Sequence, residues 1–463
     1  VNTSAETLTF RAFISSVHPN SLYPFDNSDG ITSNQLNQIF ETLTSYNNEG
    51  KLIPLLATHW HWIDNKTLEL KLREGVLFHN QEPFDSEAVK FTFDQFLNPT
   101  VLIANRQYAD SISGVEVVDP YRVRIKTKQP DSFLIDRLAT VGHILPPKYF
   151  LKVGKNEFSK KPVGTGPFQL VSTDFKSKML LEKNKHYWGP LPVIDQLEFD
   201  YLPSFEKAIE LFKKKKLDFI SHLPGGLINQ VLNLNEVSIT KRLTNQSIMV
   251  LVNTIKKPSP LRNRAFRKAL WESLDFNEVI KYYDLGNGSP TTSLSLPGEP
   301  FFDSKLPQVI PSFKKKKILL DAKPYVFRMQ VTEPLKVMGE IIAKQMRDAG
   351  LSVEVKYGSN MDEVKEVLDY KVKGLVPEID FLVSHCAHLF PAFPHLILLP
   401  SSGNWSLTSD SFLDQMLKNV TSEFDEKKQK EIFFRINRYV YDNAILFPGF
   451  QFKDIYVYGN QYE

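Results

Sequence analysis

Segments with strand periodicity alternate with segments of helical periodicity along the whole chain, and this order restricts the fold more than any single motif does. Thr7–Phe13, Thr67–Leu72 and Arg122–Thr127 alternate apolar and polar residues, as half-exposed strands do. Asn34–Leu43 carries apolar residues at helical spacing. Asp85–Phe96 does too, with Asp85 or Ser86 as its cap and Glu87 in its first turn. Val163–Phe168 is a Gly/Pro turn that opens a strand at Gln169–Thr173. A helix over Glu206–Phe212 leads into a strand at Leu217–Ile220. Ile248–Asn253 reads as a buried strand, Asn263–Tyr282 as one long amphipathic helix and Lys427–Tyr441 as another. Phe327–Val331, Val337–Ala349 and Ser352–Tyr357 form a strand–helix–strand unit, with Gly350 where the helix should end. Ile455–Tyr458 is a closing strand. The pattern predicts α/β lobes with mixed sheets. At 463 residues the chain exceeds one hydrophobic core, so two or three lobes are expected.

Charge excludes several function classes. There are 56 basic and 53 acidic residues, a balance that gives no field of one sign for nucleic acid. The lysine runs 213–216 and 314–317 read as solvated helix ends or loops, because neither is interleaved with stacking aromatics. No window reaches the roughly 18 apolar residues of a membrane span. One cysteine allows no internal disulfide. The polar lead Val1–Glu6 is how a trimmed, exported protein would begin, so a periplasmic or extracytoplasmic location is expected, with a lipid anchor before trimming as one form of export.

Enzyme motifs are absent. Gly164-x-Gly166 lacks a third glycine and precedes a strand, which is not a dinucleotide turn, and no Walker A, G-x-S-x-G or H-E-x-x-H sequence occurs. His59-Trp-His61 offers two imidazoles on one face of a strand, or simply two polar residues around a packed Trp60. The stretch Phe381–Leu396 is richer: it holds Cys386, His385, His388 and His395. On a regular strand Cys386 and His388 share one face and His385 takes the other. Three such side chains cannot converge on one metal, no partner ligands appear elsewhere, and a nucleophile normally sits at a loop or helix start. The stretch is therefore expected to line a pocket, with no catalytic residue, no metal and no cofactor.

Several further stretches resemble one family. Pro54–Trp60, Thr67–His79 and Pro83–Thr92 form a first block. Pro162–Phe168 and Asn184–Trp188 form a second, and Asn253, Pro260–Leu270 and Leu274-Asp275 a third. In order and over nearly the whole chain they are similar to the family 5 extracellular solute-binding proteins, the peptide, nickel-chelate and haem receptors of ABC importers.

That resemblance implies a type II periplasmic-binding-protein-like α/β fold, with two lobes around a hinge and an inserted subdomain. Lobe I would hold residues 1–35, 161–250 and 446–463, the inserted subdomain 36–160 and lobe II 255–445, with the hinge near 251–255 and 445–449. It implies a monomeric, non-enzymatic receptor that captures a peptide or peptide-like solute and delivers it to importer membrane subunits, with no nucleic acid. A metal-chelate (nickel or haem) receptor and the sensing module of a transcriptional regulator are the alternatives. By the same resemblance, Ser28, Asp29 and Gly30 match one peptide-binding segment and Ser384, His385, Cys386 and His388 the other. Tyr108 and Trp405 are expected near the ligand. Where the family often has an aspartate for the peptide's α-ammonium, this chain has His388. A neutral imidazole supplies no anion, so the amine is expected to be bound elsewhere, for instance by Asp29, or to be absent from the ligand.

Overall fold

The computed structural model describes residues 7–462 except 15–17, 27–29, 102, 104–105, 313, 333–334, 359–369, 371–372 and 404. The chain divides into two compact units, 1–241 with 455–463 and 242–454.

In the first unit, β1 (Thr9–Phe13) is followed by a hairpin of β2 (Thr44–Tyr46) and β3 (Leu52–Pro54). An antiparallel sheet comes next, in the order β4 (Ala57–Asp64), β5 (Thr67–Leu72), β7 (Arg122–Thr127), β6 (Ile112–Asp119). Leu68, Leu70, Leu72, Val123 and Ile125 form its buried face, as alternation requires. The helix Ser86–Leu97 lies against β6 and β7; the Asp85 carboxylate caps it by accepting from the amides of Glu87 and Ala88. The second sheet places β1 parallel to β10 (Gln196–Asp200) and to β11 (Phe219–Ile220), with β9 (Lys178–Lys183) and β8 (Phe168–Thr173) beyond β10. Residues 457–458 pair antiparallel with β11.

The expected helix at Asn34–Leu43 instead spans Gly30–Leu36. The carbonyls that would have continued it are taken by another segment: Gly166 N donates to Ile39 O at 2.9 Å and Phe168 N to Gln38 O at 3.0 Å. This approach explains the two glycines of the Val163–Phe168 turn. A Cβ at Gly164 would lie 2.0 Å from Ile39 O, and one at Gly166 would lie 2.6 Å from Gln38 O. His79 locks the same turn. Its Nδ1 accepts from Gly164 N (3.3 Å), so Nε2 carries the proton that bonds Gly166 O (3.0 Å). Leaving the helix turns Glu41 inward, where its carboxylate accepts from Thr165 Oγ1 (2.8 Å), Tyr187 OH (2.8 Å) and Trp188 Nε1 (2.9 Å).

The second unit is built on β12 (Val237–Val252, from residue 242 on), β14 (Val326–Thr332), β15 (Ser352–Gly358) and β16 (Phe381–Ala387). β14 runs parallel to both β15 and β16, and β16 antiparallel to β12. β13 (Gly288–Pro290) pairs with β17 (Leu446–Gly459) at Phe450–Phe452. The expected helix Asn263–Tyr282 is two, Arg264–Trp271 and Phe276–Asp284. Asp275 is the reason: its carboxylate accepts from Asn277 N (2.9 Å) and Glu278 N (3.3 Å), starting a new helix rather than continuing the old one. Phe266 stacks on Phe327 and Trp271 on Phe447 to join the first of these helices to the sheet. Two polar side chains of the third block tie distant loops. Asn253 donates to the carbonyls of Pro377 and Ile379, and buried Arg267 to those of Leu261, Asn443 and Ala444.

Buried titratable groups make stability depend on pH. Burial pushes His79 and His143 down from the usual 6.5 to about 4. Each therefore stabilises fully above pH 6.5 and loses its contribution, roughly 3 kcal/mol, as pH falls through 4. Burial pushes Glu41 up, so its contribution runs the other way and declines as pH rises. In thermal melts His79→Gln should lose less stability than the unaltered chain between pH 7 and pH 5, and an equal loss in both would contradict the assignment. Glu41→Ala, which strands three donors, should cost about 3 kcal/mol or more.

Candidate functional site

β16 carries the cysteine–histidine stretch, and its register with β12 assigns each side chain a face. Ser384 lies opposite Met249, His385 opposite Ile248 and Cys386 opposite Ser247. Cys386 and His388 are buried and His385 is exposed, in line with the alternation. The His385 ring sets its edge on Phe452, with centroids 4.8 Å apart. Ser384 Oγ donates to His385 O at 3.2 Å. Burial and the nearby Glu299 raise the Cys386 thiol pKa, so the thiol stays protonated.

His388 sits just beyond β16, anchored by main chain and side chain. Its N–H donates to Asn245 O (2.7 Å), and Asn245 Nδ2 donates to its carbonyl (3.0 Å). Its ring lies between two groups: Nδ1 is 2.8 Å from Glu299 Oε1, and Nε2 is 3.1 Å from Ser247 Oγ. A carboxylate only accepts, so Nδ1 carries a proton; in the neutral ring Nε2 then accepts from the serine hydroxyl. Glu299 is held in turn by Leu296 N, which donates to its Oε2 at 2.6 Å. Gly298, at φ +96°, makes the turn that brings Glu299 back to this amide.

Serine, histidine and carboxylate thus follow one another in the order of a hydrolytic triad. The surroundings differ from one. Ser247 is fully buried in mid-strand beside Cys386, not exposed on an elbow where a carbonyl can reach it. What the array does is occupy both nitrogens of the His388 ring and place a carboxylate beside the position where the sequence shows no anion.

His395 belongs to neither face of β16. The Pro-rich stretch after His388 contains the short helix Phe393–Leu398, with Pro394 in its first turn. There His395 Nε2 meets Asn437 Oδ1 at 2.7 Å, and burial lowers the imidazole pKa to about 4, keeping it neutral. Among the described residues no group of three or more His, Cys, Asp or Glu side chains is arranged to hold a metal ion.

The remaining candidates are spread over both units. Gly30 opens the helix Gly30–Leu36, while Ser28 and Asp29 lie outside the described residues. Tyr108 is buried in the turn Arg106–Ala109, whose Arg106 guanidinium bonds the carbonyls of Phe96, Asn98 and Val101. Trp405 is half-buried in a loop braced by Ser406, whose Oγ donates to Leu399 O (3.4 Å) or Thr408 O (3.3 Å). Sequence reasoning missed Ser247, Asn245 and Glu299. Two signals were present: the polar run Thr244–Ser247 just before the apolar run Ile248–Val252, and one acid after the turn-forming Pro297-Gly298.

Comparison with known proteins decides the family. Residues 51–374 match the model of the bacterial extracellular solute-binding proteins, family 5. The chain belongs to this family. It is 24% identical over 460 residues to the nickel-binding periplasmic protein of Escherichia coli K12, an alignment covering 90% of this chain and 85% of that one. It is 23% identical over 483 residues to the dipeptide-binding protein DppE of Bacillus subtilis 168, covering 96% and 87%. Among solved structures it resembles the Helicobacter pylori periplasmic binding protein DppA in complex with the peptide STSA, at a TM-score of 0.85 and 18% identity, covering 98% of this chain and 94% of that one. The fold is accordingly that of the type II periplasmic binding proteins.

The ring geometry makes its own prediction. Nitrogen-15 spectra of the histidine side chains should show His388 protonated at Nδ1, and Glu299→Ala should remove that preference and cost about 1–3 kcal/mol. Ser247→Ala should cost less. An Nε2-protonated His388 in the unaltered chain would overturn the assignment.

Proposed function

We propose that the chain is the solute-capturing receptor of an ABC importer and that its solute is a peptide or peptide-like molecule. One observation carries the peptide reading. β16 continues to pair with β12 through Ala387, whereas its ladder to β14, among the described residues, takes in only Phe381–Val383. Ser384–Ala387 is thus strand backbone beyond the end of the β14 ladder, which is what an extended peptide needs in order to add itself as a strand. The peptide-binding relatives support the same reading. The sequence-derived candidates around it, from Ser28–Gly30 and Tyr108 to Trp405, remain part of this proposal.

A metal chelate is the second reading. It is favoured by the exposed His385 imidazole on this strand and by the nickel-binding relative. Titration with a nickel–histidine complex and with a mixed peptide library separates the two, because only the bound class will co-purify on native mass spectrometry.

The hinge remains proposed near 251–255 and 445–449; the chain passes twice between the compact units, at 241–242 and 454–455, which supports a two-strand hinge in this region. Small-angle scattering should show a smaller radius of gyration at ligand saturation, and an unchanged profile would overturn closure. With both nitrogens of the His388 ring occupied, that side chain has none to offer a ligand amine. Calorimetry is expected to find a free and an N-acetylated peptide of equal affinity in the unaltered chain, with acetylation mattering only in His388→Asp. There a desolvated carboxylate–ammonium contact is worth roughly 2–5 kcal/mol. A large loss on acetylation in the unaltered chain would refute this and point to Glu299 as the anion.

A further inference from the structure

We propose that His59 and His61 form a two-imidazole chelate for a divalent transition metal, copper(II) foremost, on the outer face of β4. The site lies in the first unit and is independent of the solute reading above.

β4 ends the order β4–β5–β7–β6, so it is an edge strand of its sheet. Its ladder to β5 is irregular between Ala57 and His59 and again between Trp62 and Asp64. Between these irregularities, residues 59–62 pair regularly. His59 lies opposite Lys71, Trp60 opposite Leu70, His61 opposite Glu69 and Trp62 opposite Leu68. Leu68 and Leu70 are fully buried, so the tryptophans turn toward the core and the two histidines project together from the other face. Both histidines are exposed. Their Cα atoms are about 7 Å apart, two residues along a strand. That spacing lets two imidazoles lean onto one ion at the usual metal–nitrogen distance of about 2 Å.

Thr58 Oγ1 donates to Lys71 O at 3.3 Å, so it accepts from His59 Nδ1 at 3.2 Å and leaves Nε2 with the lone pair that can ligate. Carboxylates on the same face are already engaged: Glu69 with Arg124 at 2.8 Å, Glu116 with Lys126 at 2.6 Å and Asp119 with Arg122 at 2.8 Å. They supply no third ligand. The protein therefore contributes two nitrogens and water fills the rest. That donor set suits the tetragonal geometry of copper(II), which also stands highest in the divalent affinity order, with nickel(II) and zinc(II) below it.

The test uses the whole chain and copper(II) alone, added in a non-coordinating buffer. The first equivalent should give an electron paramagnetic resonance spectrum with hyperfine splitting from two nitrogens. Losing a direct ligand should cost at least as much as losing an outer-shell partner, so His59→Ala and His61→Ala should each weaken copper binding roughly tenfold or more. The double variant should lose the site, while the exposed His186→Ala should leave it unchanged. Melting curves confirm that these surface variants fold. A single-nitrogen spectrum in the unaltered chain, or an unaltered first equivalent in the double variant, would overturn the proposal.

Discussion

A buried carboxylate must find donors or neutralise, and Glu41 finds them in segments far along the chain, Thr165 and Tyr187-Trp188. Reaching them requires the chain to leave its first helix early. Leaving early exposes the carbonyls of Gln38 and Ile39, and these are bonded by the turn that Gly164 and Gly166 make possible. His79 closes the arrangement from a third segment. Much of the second family block, with His79 of the first, thus has one physical cause: a single acid, satisfied by neutral groups, that ties the segment after the first helix to the start of β8.

The second unit solves a similar problem with amide and guanidinium groups. Asn253 and Arg267 bond main-chain carbonyls of distant loops, so the third block is legible as loop-tying chemistry rather than as ligand contact. The His388 array follows the same logic. Its three members come from a strand, a turn and a strand end, and the carboxylate is satisfied by a ring nitrogen and an amide.

Local rules made much of this readable. The strand Arg122–Thr127 and the Asp85 cap follow from alternation and capping, and the faces of Cys386, His388 and His385 follow from strand period alone. Readability ended where tertiary bonds competed with local ones. The helical period through Glu41 continues past the point where the helix stops, because nothing local announces that Gly166 and Phe168 will take its carbonyls. The split at Asp275 was hidden for the opposite reason: apolar spacing carried on across a residue that caps. Glu299 and Ser247 stand 89 and 141 positions from His388, a separation no periodicity bridges.

The topology also separates the order in which the chain is made from the order in which it can be completed. Residues 242–454 form an uninterrupted unit, whereas the first unit needs residues 455–463. Those last residues pair with β11, place Tyr462 edge-on to Phe10 at 4.8 Å, and bond Tyr458 to Thr240 and Asn460 to Ser238. The half of the molecule synthesised first is the half finished last. Its sheet keeps an open edge beside β11 until residues 455–463 arrive, so a nascent chain that stops short of them has no complete first unit.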